Sequence, residues 1–177
     1  MNSIVQGPVP DDALLKTYRG GPHPELWGAY ADCFSASIDR PVSLAEFITA
    51  FYTTPVFRLE RLILRFLVGW PSSDEDARQL AAGVRDSFAA WRVGERTDTQ
   101  ILMCDRYEST RSWFRVTPQG AAGTLLQFGS AVAARRRADR ELRMSPTFGI
   151  LLGFHKLYSR VLLRSALRRL RRAPAQE

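Results

Sequence analysis

The segment 153–172, GFHKLYSRVLLRSALRRLRR, carries a clear helical periodicity. Extended back to Pro146, the run divides into one broad apolar arc and one charged side. The apolar arc comprises Ile150, Phe154, Leu157, Tyr158, Val161, Leu162 and Ser165, and the charged side comprises Lys156, Arg160, Arg164 and Arg171. The pattern is typical of a helix packed on a domain, and it also fits a helix lying on a membrane surface. We predict a final helix from Pro146 to about Arg172, packed through the apolar arc.

The same helix carries a second stripe of leucines, which a sheet holding the apolar arc cannot also cover. The stripe consists of Leu152, Leu163, Leu167 and Leu170. It predicts a contact with other helices, with a partner subunit such as a second copy in a homodimer, or with lipid. Beyond Ala166 the run LRRLRRAPAQE places arginine on the packed side as well, which predicts that the last turns project and fray.

The positive charge of the chain is confined to one end. Residues 1–134 hold 13 basic and 15 acidic side chains, and residues 135–177 hold 12 basic and 3 acidic ones, so that net charges of −2 and +9 make up the total of +7. Binding to the phosphates of an acidic membrane or nucleic acid is therefore predicted only at the arginine clusters. These clusters are Arg135, Arg136, Arg137, Arg168, Arg169, Arg171 and Arg172.

A strand and two helices form the first half of the predicted fold. The stretch AYADCFSASID (29–39) alternates in a way that places Asp32, Phe34, Ala36 and Ile38 on one strand face. Ser43 and Glu46 have capping-box spacing and begin a helix that ends at Thr54-Pro55. A second helix starts at Pro55 and runs to Gly69, so the two helices form a V.

The second helix of the V is predicted to have one apolar face, formed by Leu59, Leu62, Ile63 and Phe66, with wetter sides marked by Arg58, Glu60, Arg61 and Arg65. A third helix follows a cap at Ser72 or Ser73. Four β-branched and aromatic runs then predict an antiparallel meander. They are WRVGER, QILMCDRYE, RSWFRVT and TLLQFGSAVAA.

This order of elements resembles the START-like or helix-grip superfamily, which includes the birch-pollen-allergen and polyketide cyclase-like proteins. Four sequence features are similar to those of an uncharacterised bacterial family within this superfamily. They are the segments YADCF, SWFRV and FHKLYSRVLLRSAL and the spacing from Trp91 to Asp105. The resemblance implies an α+β fold in which a curved antiparallel sheet wraps the last helix around an apolar cavity. It divides the chain into an N-terminal extension (1–27), a single START-like domain (28–170) and a basic frayed tail (171–177). A full helix-grip sheet has six strands after the V, whereas four are counted in this sequence. Either the other two lie in VRDSFAA and ARRRADRELRM, or the sheet is shortened.

The resemblance also implies which side chains line the cavity. The candidates are Met103, Asp105, Trp113, Arg115, Phe128, Phe154, His155 and Tyr158. Each has a simpler structural alternative. His155 can be a partly buried structural group, Arg115 can lie on an exposed strand face, and Asp105 can pair with Arg106 or Arg92 in solvent.

Three functions from different classes follow. The first is binding of a small apolar or amphipathic molecule in the cavity. The second is a basic surface module for acidic lipid, nucleic acid or a protein partner, with steep salt dependence as its mark. The third is a cavity enzyme of cyclase or hydrolase type that uses His155, Asp105 or Arg115 as acid or base.

The sequence contains no specific catalytic or metal-binding motif. It holds no C-x-x-C, H-E-x-x-H, G-x-S-x-G or phosphate-binding loop, so no metal, cofactor or covalent mechanism is predicted. Cys33 and Cys104 lie far apart beside acidic residues and are expected to be free, unreactive core thiols. The start of the chain lacks a signal-peptide pattern, which favours a cytoplasmic location.

Overall fold

The computed structural model describes residues 3–21, 30–107, 109–133 and 146–172, with the backbone alone for residues 64, 67, 68 and 146–157. Twelve elements follow one another in this part of the chain. In order they are β1 (Val5–Gly7), α1 (Leu14–Thr17), β2 (Tyr30–Ile38), α2 (Leu44–Tyr52), α3 (Pro55–Val68), α4 (Asp74–Ala81), β3 (Ser87–Phe88), β4 (Trp91–Arg96), β5 (Gln100–Asp105), β6 (Thr110–Gln119), β7 (Gly123–Val132) and α5 (Pro146–Arg172).

The strands form one antiparallel, curved sheet of seven strands in the order β1-β2-β7-β6-β5-β4-β3. The predicted α+β class, with a long C-terminal helix and shorter helices after a strand, is confirmed. The meander holds five described strands after the V, where four were predicted. β3 lies in VRDSFAA, one of the two stretches named for a hidden strand, and is too short to show a period. The other stretch, 134–144, lies outside the described residues.

The two predicted helix starts are confirmed by their hydrogen bonds. The Ser43 hydroxyl accepts from the Glu46 amide at 3.1 Å, and the Glu46 carboxylate accepts from the Ser43 amide at 2.9 Å. Ser73 and Asp76 form the same reciprocal pair at the start of α4. Each pair satisfies two amides that have no partner within the helix.

The sheet has two covered faces. The inner face carries Phe34, Ile101, Phe114 and Leu126 and packs against α2, α4 and the second half of α5 in the main core. The outer face carries Cys33, Leu102, Cys104, Trp113 and Ala131 and is covered by Val9, Ala13, Leu14 and Leu15. The described part of the N-terminal segment therefore adds a strand to one edge of the sheet and a cover to its outer face.

The orientation of α3 is the reverse of the predicted one. Arg61 is buried, with its Nη2 donating to Asp74 Oδ1 at 2.6 Å, and Phe57 lies in the core. Leu59, Leu62, Ile63 and Phe66 are exposed. The prediction placed Glu60 and Arg61 on the wetter sides of the helix, but Glu60 is half-buried and Arg61 is buried. In the fold, the opposite face meets the core because α2, α4 and α5 contact it there.

The packed side of α5 is also displaced from the predicted one. Leu162, Leu163, Ala166, Leu167 and Leu170 are buried in the core, whereas Val161 is exposed. The leucine stripe, apart from Leu152 whose side chain is not described, therefore packs within the domain and offers no free surface to a partner. The reason is that the helix lies between the sheet and α2, so two neighbours cover one broad arc.

The last turns of α5 do not project from the domain. The helix continues to Arg172, Leu167 and Leu170 reach the core, and Arg40 Nη2 donates to the carbonyl oxygen of Leu170 at 3.0 Å. The fraying expected beyond Ala166 is therefore wrong up to Arg172, and residues 173–177 lie outside the described part. Within that part, no helix is both long and apolar enough to span a bilayer.

Candidate functional site

The predicted site residues on the strands lie on two opposite faces of the sheet. Met103 and Phe128 are buried on the inner face. Trp113 and Arg115 are on the outer face, because β6 directs Phe114 and Val116 inward and alternate residues of a strand point to opposite sides. Trp113 and Arg115 therefore cannot share one cavity with Met103 and Phe128.

Both outer-face candidates are held by the N-terminal segment. Trp113 Nε1 donates to Gln100 Oε1 at 2.7 Å, and the same oxygen accepts from the Leu14 amide at 3.1 Å. Arg115 donates from two nitrogens to the two carboxylate oxygens of Asp12, at 2.8 and 2.9 Å. The hydrogen bond and charge of Arg115 lower the pKa of Asp12. These contacts fasten the outer cover.

Asp105 closes the turn between β5 and β6. Its carboxylate accepts from the backbone amides of Ser109 at 2.8 Å and Thr110 at 3.1 Å, and also from both hydroxyls. The predicted pairing with Arg106 is not present among the described contacts, in which the Arg106 guanidinium lies 5.1 Å from the centre of the Trp70 ring. Asp105 therefore stabilises a turn through four hydrogen bonds.

The remaining predictions fall partly outside the described residues. The side chains of Phe154 and His155 are not described, and Arg135, Arg136 and Arg137 lie in the segment 134–145, which is not described either. Arg168, Arg169, Arg171 and Arg172 are exposed on α5. Tyr158 is half-buried and faces α3.

A polar row crosses the inner face of the sheet near one end. Asp32 lies on β2, Ser130 is its register partner on β7, and Ser112 is the partner of Ser130 on β6. Asp32 is buried, and its carboxylate accepts from the Tyr30 hydroxyl at 2.8 Å, the Ser130 hydroxyl at 2.7 Å and the Ser130 amide at 3.2 Å. We call Tyr30, Asp32, Ser112 and Ser130 the polar row.

Members of the polar row differ in their access to solvent. Asp32 and Ser130 are buried, whereas Tyr30 and Ser112 are half-buried. The Ser112 hydroxyl has no hydrogen-bond partner among the described residues. Half-buried apolar side chains share the inner face beside the row, namely Trp91 and Val93 on β4 and Val132 on β7. Asp32 thus orients the Tyr30 and Ser130 hydroxyls, and the half-buried Ser112 contributes a further hydroxyl to the same face.

The first half of α5 continues toward this end of the sheet. Near the end of the helix, Leu170 contacts Arg40, which follows β2. Ten residues earlier, the Arg160 guanidinium lies 5.4 Å from the centre of the Phe34 ring in the middle of β2. The helix therefore runs back along β2, and its residues before 160 extend toward Asp32 and Tyr30.

A second polar cluster joins α3 to α5. The Tyr158 hydroxyl donates to Glu60 Oε2, and Tyr52 lies buried nearby on α2. Burial raises the pKa of the Glu60 carboxyl, and the hydrogen bond from Tyr158 offsets part of that rise. Burial and the charge of Glu60 raise the pKa values of Tyr158 and Tyr52. The Glu60 carboxylate is thus bonded to one phenol, that of Tyr158, and its charge acts on a second one, that of Tyr52.

This cluster predicts a pH-dependent stability. Because the folded-state pKa of Glu60 is raised above 4.5, the folded protein retains a proton that the unfolded chain has released. The free energy of unfolding therefore falls as pH rises from the usual glutamate range through the folded pKa. We expect Glu60→Gln to gain stability relative to the wild type between about pH 4 and about pH 7 in urea unfolding. Glu75→Gln, an exposed site on α4, is the matched control, and a constant difference for Glu60→Gln would contradict the prediction.

A surface groove lies at the other end of the sheet. It has a volume of about 460 Å³ and is lined by Arg40, Glu46, Thr99 and the 118–124 turn between β6 and β7, among others. Arg40 is already engaged by the Glu46 carboxylate at 3.1 Å and by the Leu170 carbonyl. The basic side chain that lines this groove is therefore already paired within the domain.

The described residues hold no group of three or more His, Cys, Asp or Glu side chains arranged for a metal ion. Cys33 and Cys104 are free and buried, as predicted. Burial is the main cause that raises the pKa of the Cys33 thiol, and Asp32 adds to it. A thiol with a raised pKa is a poor nucleophile at neutral pH.

Sequence reasoning missed most of the polar row and Glu60. Asp32 was correctly placed on the face of Phe34, and a carboxylate among buried apolar residues was the signal that it forms part of a site. Ser130 is two residues from Phe128 on β7, and Ser112 is two residues from Phe114 on β6, so each serine lies on the same strand face as a phenylalanine. This position was the corresponding signal for the two serines. Glu60 gave no such signal, because its inward orientation depends on α5.

The fold and site define an α+β domain with an antiparallel sheet, a C-terminal helix and a polar row on the inner face. No family model matches the chain, and no curated protein matches it. Among solved structures the chain is similar to CalU16 from Micromonospora echinospora, with 10% sequence identity, coverage of 96% of this chain and 93% of that chain, and a TM-score of 0.33. A similarity at this level carries no functional argument, so function is argued from the site itself.

Proposed function

We propose that this domain binds a small amphipathic molecule between the polar row and the first half of α5. The observation that carries the proposal is that the side chains of the inner face change along the sheet, from packed aromatic rings to half-buried apolar and hydroxyl groups. At one end the face is filled by Phe114, Phe128 and the aromatic side chains of α2. At the other end, Ser112 and the apolar residues Trp91, Val93 and Val132 on the same face are only half-buried. Apolar walls with few polar anchors are the usual composition of small-molecule sites.

The side chains of the proposed site indicate which part of the ligand each of them binds. An apolar body fits against Trp91, Val93 and Val132, and a hydroxyl or carbonyl group bonds to the Ser112 hydroxyl. The Tyr30 hydroxyl already donates to Asp32, so it can only accept from a donor on the ligand. Asp32 does not need to touch the ligand, since its role is to hold the Tyr30 and Ser130 hydroxyls. His155 stays a candidate contact, because it belongs to the half of α5 that extends toward the row.

Native and denatured masses of protein purified without detergent test the proposal. We expect a stoichiometric small molecule that is released on denaturation, and binding of an apolar fluorescent probe to the emptied protein. The variant Ser112→Ile removes the accessible hydroxyl and fills its place, and we expect it to weaken binding about tenfold or more.

Thr117→Ile is the matched control, because it changes the outer face of the same strand. Equal loss of binding in both variants, or a wild-type protein that carries no molecule and binds no apolar probe, would overturn the proposal. In the second case, salt-dependent binding of phosphate groups by Arg168, Arg171 and Arg172 becomes the leading function, because these side chains are exposed.

A further inference from the structure

Helix α3 presents an apolar stripe to solvent. Its members, which we call the α3 stripe, are Leu59 (60% exposed), Leu62 (48%), Ile63 (49%) and Phe66 (74%). They recur at the three- and four-residue spacing of one helix face. The opposite side, with Phe57 and Arg61, is buried. A contiguous exposed apolar surface of this kind marks an interaction site.

An aromatic corner follows the end of α3 in the chain. Trp70 follows the helix by two residues, and its ring lies 5.9 Å from that of Tyr107, which is 72% exposed in the turn after β5. The Arg106 guanidinium lies 5.1 Å from the centre of the Trp70 ring. Trp, Tyr and Arg together are the side chains that suit a boundary between water and hydrocarbon.

The charges around the stripe favour an anionic partner. Glu60, the single acidic residue of α3, is turned inward toward Tyr158. Asp74 on α4 is engaged by both Arg58 and Arg61. Arg65 is exposed and forms no ion pair among the described residues. Uncompensated positive charge therefore accompanies the apolar stripe.

We propose that the α3 stripe and the corner of Trp70, Arg106 and Tyr107 dock the protein on an anionic phospholipid bilayer. The stripe inserts at the boundary between headgroups and acyl chains, the aromatic rings lie at headgroup level, and Arg65 and Arg106 bind lipid phosphates. A symmetric dimer through the same surface would bring equal charges together across its two-fold axis, which disfavours a second copy as the partner.

Vesicle sedimentation tests the docking surface. We expect the full chain to bind vesicles of phosphatidylcholine mixed with phosphatidylglycerol more tightly than pure phosphatidylcholine, with weaker binding at high salt. The double variant Ile63→Ser/Phe66→Ser should lose binding at least about tenfold, because two exposed apolar side chains no longer leave water. The thermal unfolding curve should be retained.

Three control variants separate this surface from other sources of binding. Val84→Ser changes a valine that is 75% exposed outside the stripe, and it should bind as the wild type does. Arg65→Gln/Arg106→Gln should weaken binding more than Arg171→Gln/Arg172→Gln, which removes the same charge from α5. Ser112→Ile should keep vesicle binding, since the stripe does not depend on the inner pocket.

The proposal is overturned if the wild type binds neither kind of vesicle or if the double stripe variant binds as the wild type does. It is also overturned if the α5 arginine variant or Ser112→Ile loses the binding instead. A wild-type dimer that the stripe variant dissociates, in the absence of vesicle binding, would assign the surface to a second copy of the chain.

Discussion

Replacing Phe51 with alanine is expected to lower the free energy of unfolding by about 3–5 kcal/mol, because the deletion leaves a cavity in a closely packed core. The ring is buried on α2, and its centroid lies 4.8 Å from that of Phe114 and 4.7 Å from that of Phe128. The rings of Phe47, Tyr52 and Phe57 also contact it. Urea unfolding measures the loss.

The matched control is Phe66→Ala on α3. It deletes the same atoms from a side chain that is 74% exposed, so we expect a change within about 0.5 kcal/mol. The pair tests the orientation of α3 as well as the core. A loss at Phe66 comparable to that at Phe51 would show that the α3 stripe packs inward in solution.

The second large effect is expected at Gln100, where one side-chain oxygen serves two donors. Gln100 Oε1 accepts from the buried Trp113 indole at 2.7 Å and from the Leu14 amide at 3.1 Å, and Gln100 Nε2 donates to the Asp12 carbonyl at 3.3 Å. Gln100→Ala leaves both donors without their acceptor. Since each such buried group costs roughly 1–3 kcal/mol, we expect a loss of about 2–6 kcal/mol in urea unfolding.

Gln119→Ala is the control for Gln100→Ala. Its Oε1 accepts from Ser37 at 2.7 Å at an exposed position, so the change should stay within about 0.5 kcal/mol. We also expect faster hydrogen exchange at the Leu14 amide in Gln100→Ala. Unchanged exchange together with unchanged stability would contradict the role of Gln100 in holding the N-terminal cover on the sheet.

The two covered faces of the sheet have different consequences for function. The outer face is covered by the N-terminal segment, to which Gln100 and Arg115 are hydrogen-bonded. The inner face keeps a half-buried hydroxyl at Ser112 beside apolar walls. A ligand site is therefore expected on the inner face, and substitutions on the outer face are expected to affect stability first.

The site could be predicted from the sequence only in part. Met103, Phe128 and Tyr158 were predicted as cavity contacts; Met103 and Phe128 are buried on the inner face and Tyr158 is half-buried, and their contact with a ligand stays a prediction. Trp113 and Arg115 were grouped with them because both faces of β6 carry large side chains, so its alternation does not show which face packs on the helices. Both faces of β6 are covered because the N-terminal segment packs on the outer one. This contact is between segments distant in sequence, so the sequence of β6 alone does not reveal it.

The sequence by itself determined those features that depend on neighbouring residues. The capping boxes at Ser43 and Ser73, the break at Pro55 and the strand faces of β2 all follow from contacts or periods within a few residues. The existence of α5 follows likewise from its length and helical period. Such features need no knowledge of what packs on them.

Only the tertiary structure decided which face of each helix is buried. Arg61 and Glu60 turn inward because Asp74 on α4 and Tyr158 on α5 provide partners for them, and the α3 stripe is left in water as a result. On α5, Leu163 and Leu170 are buried because the helix lies between the sheet and α2. Amphipathic periodicity predicts that a helix has an apolar face, but the neighbours determine whether that face meets the core or the solvent.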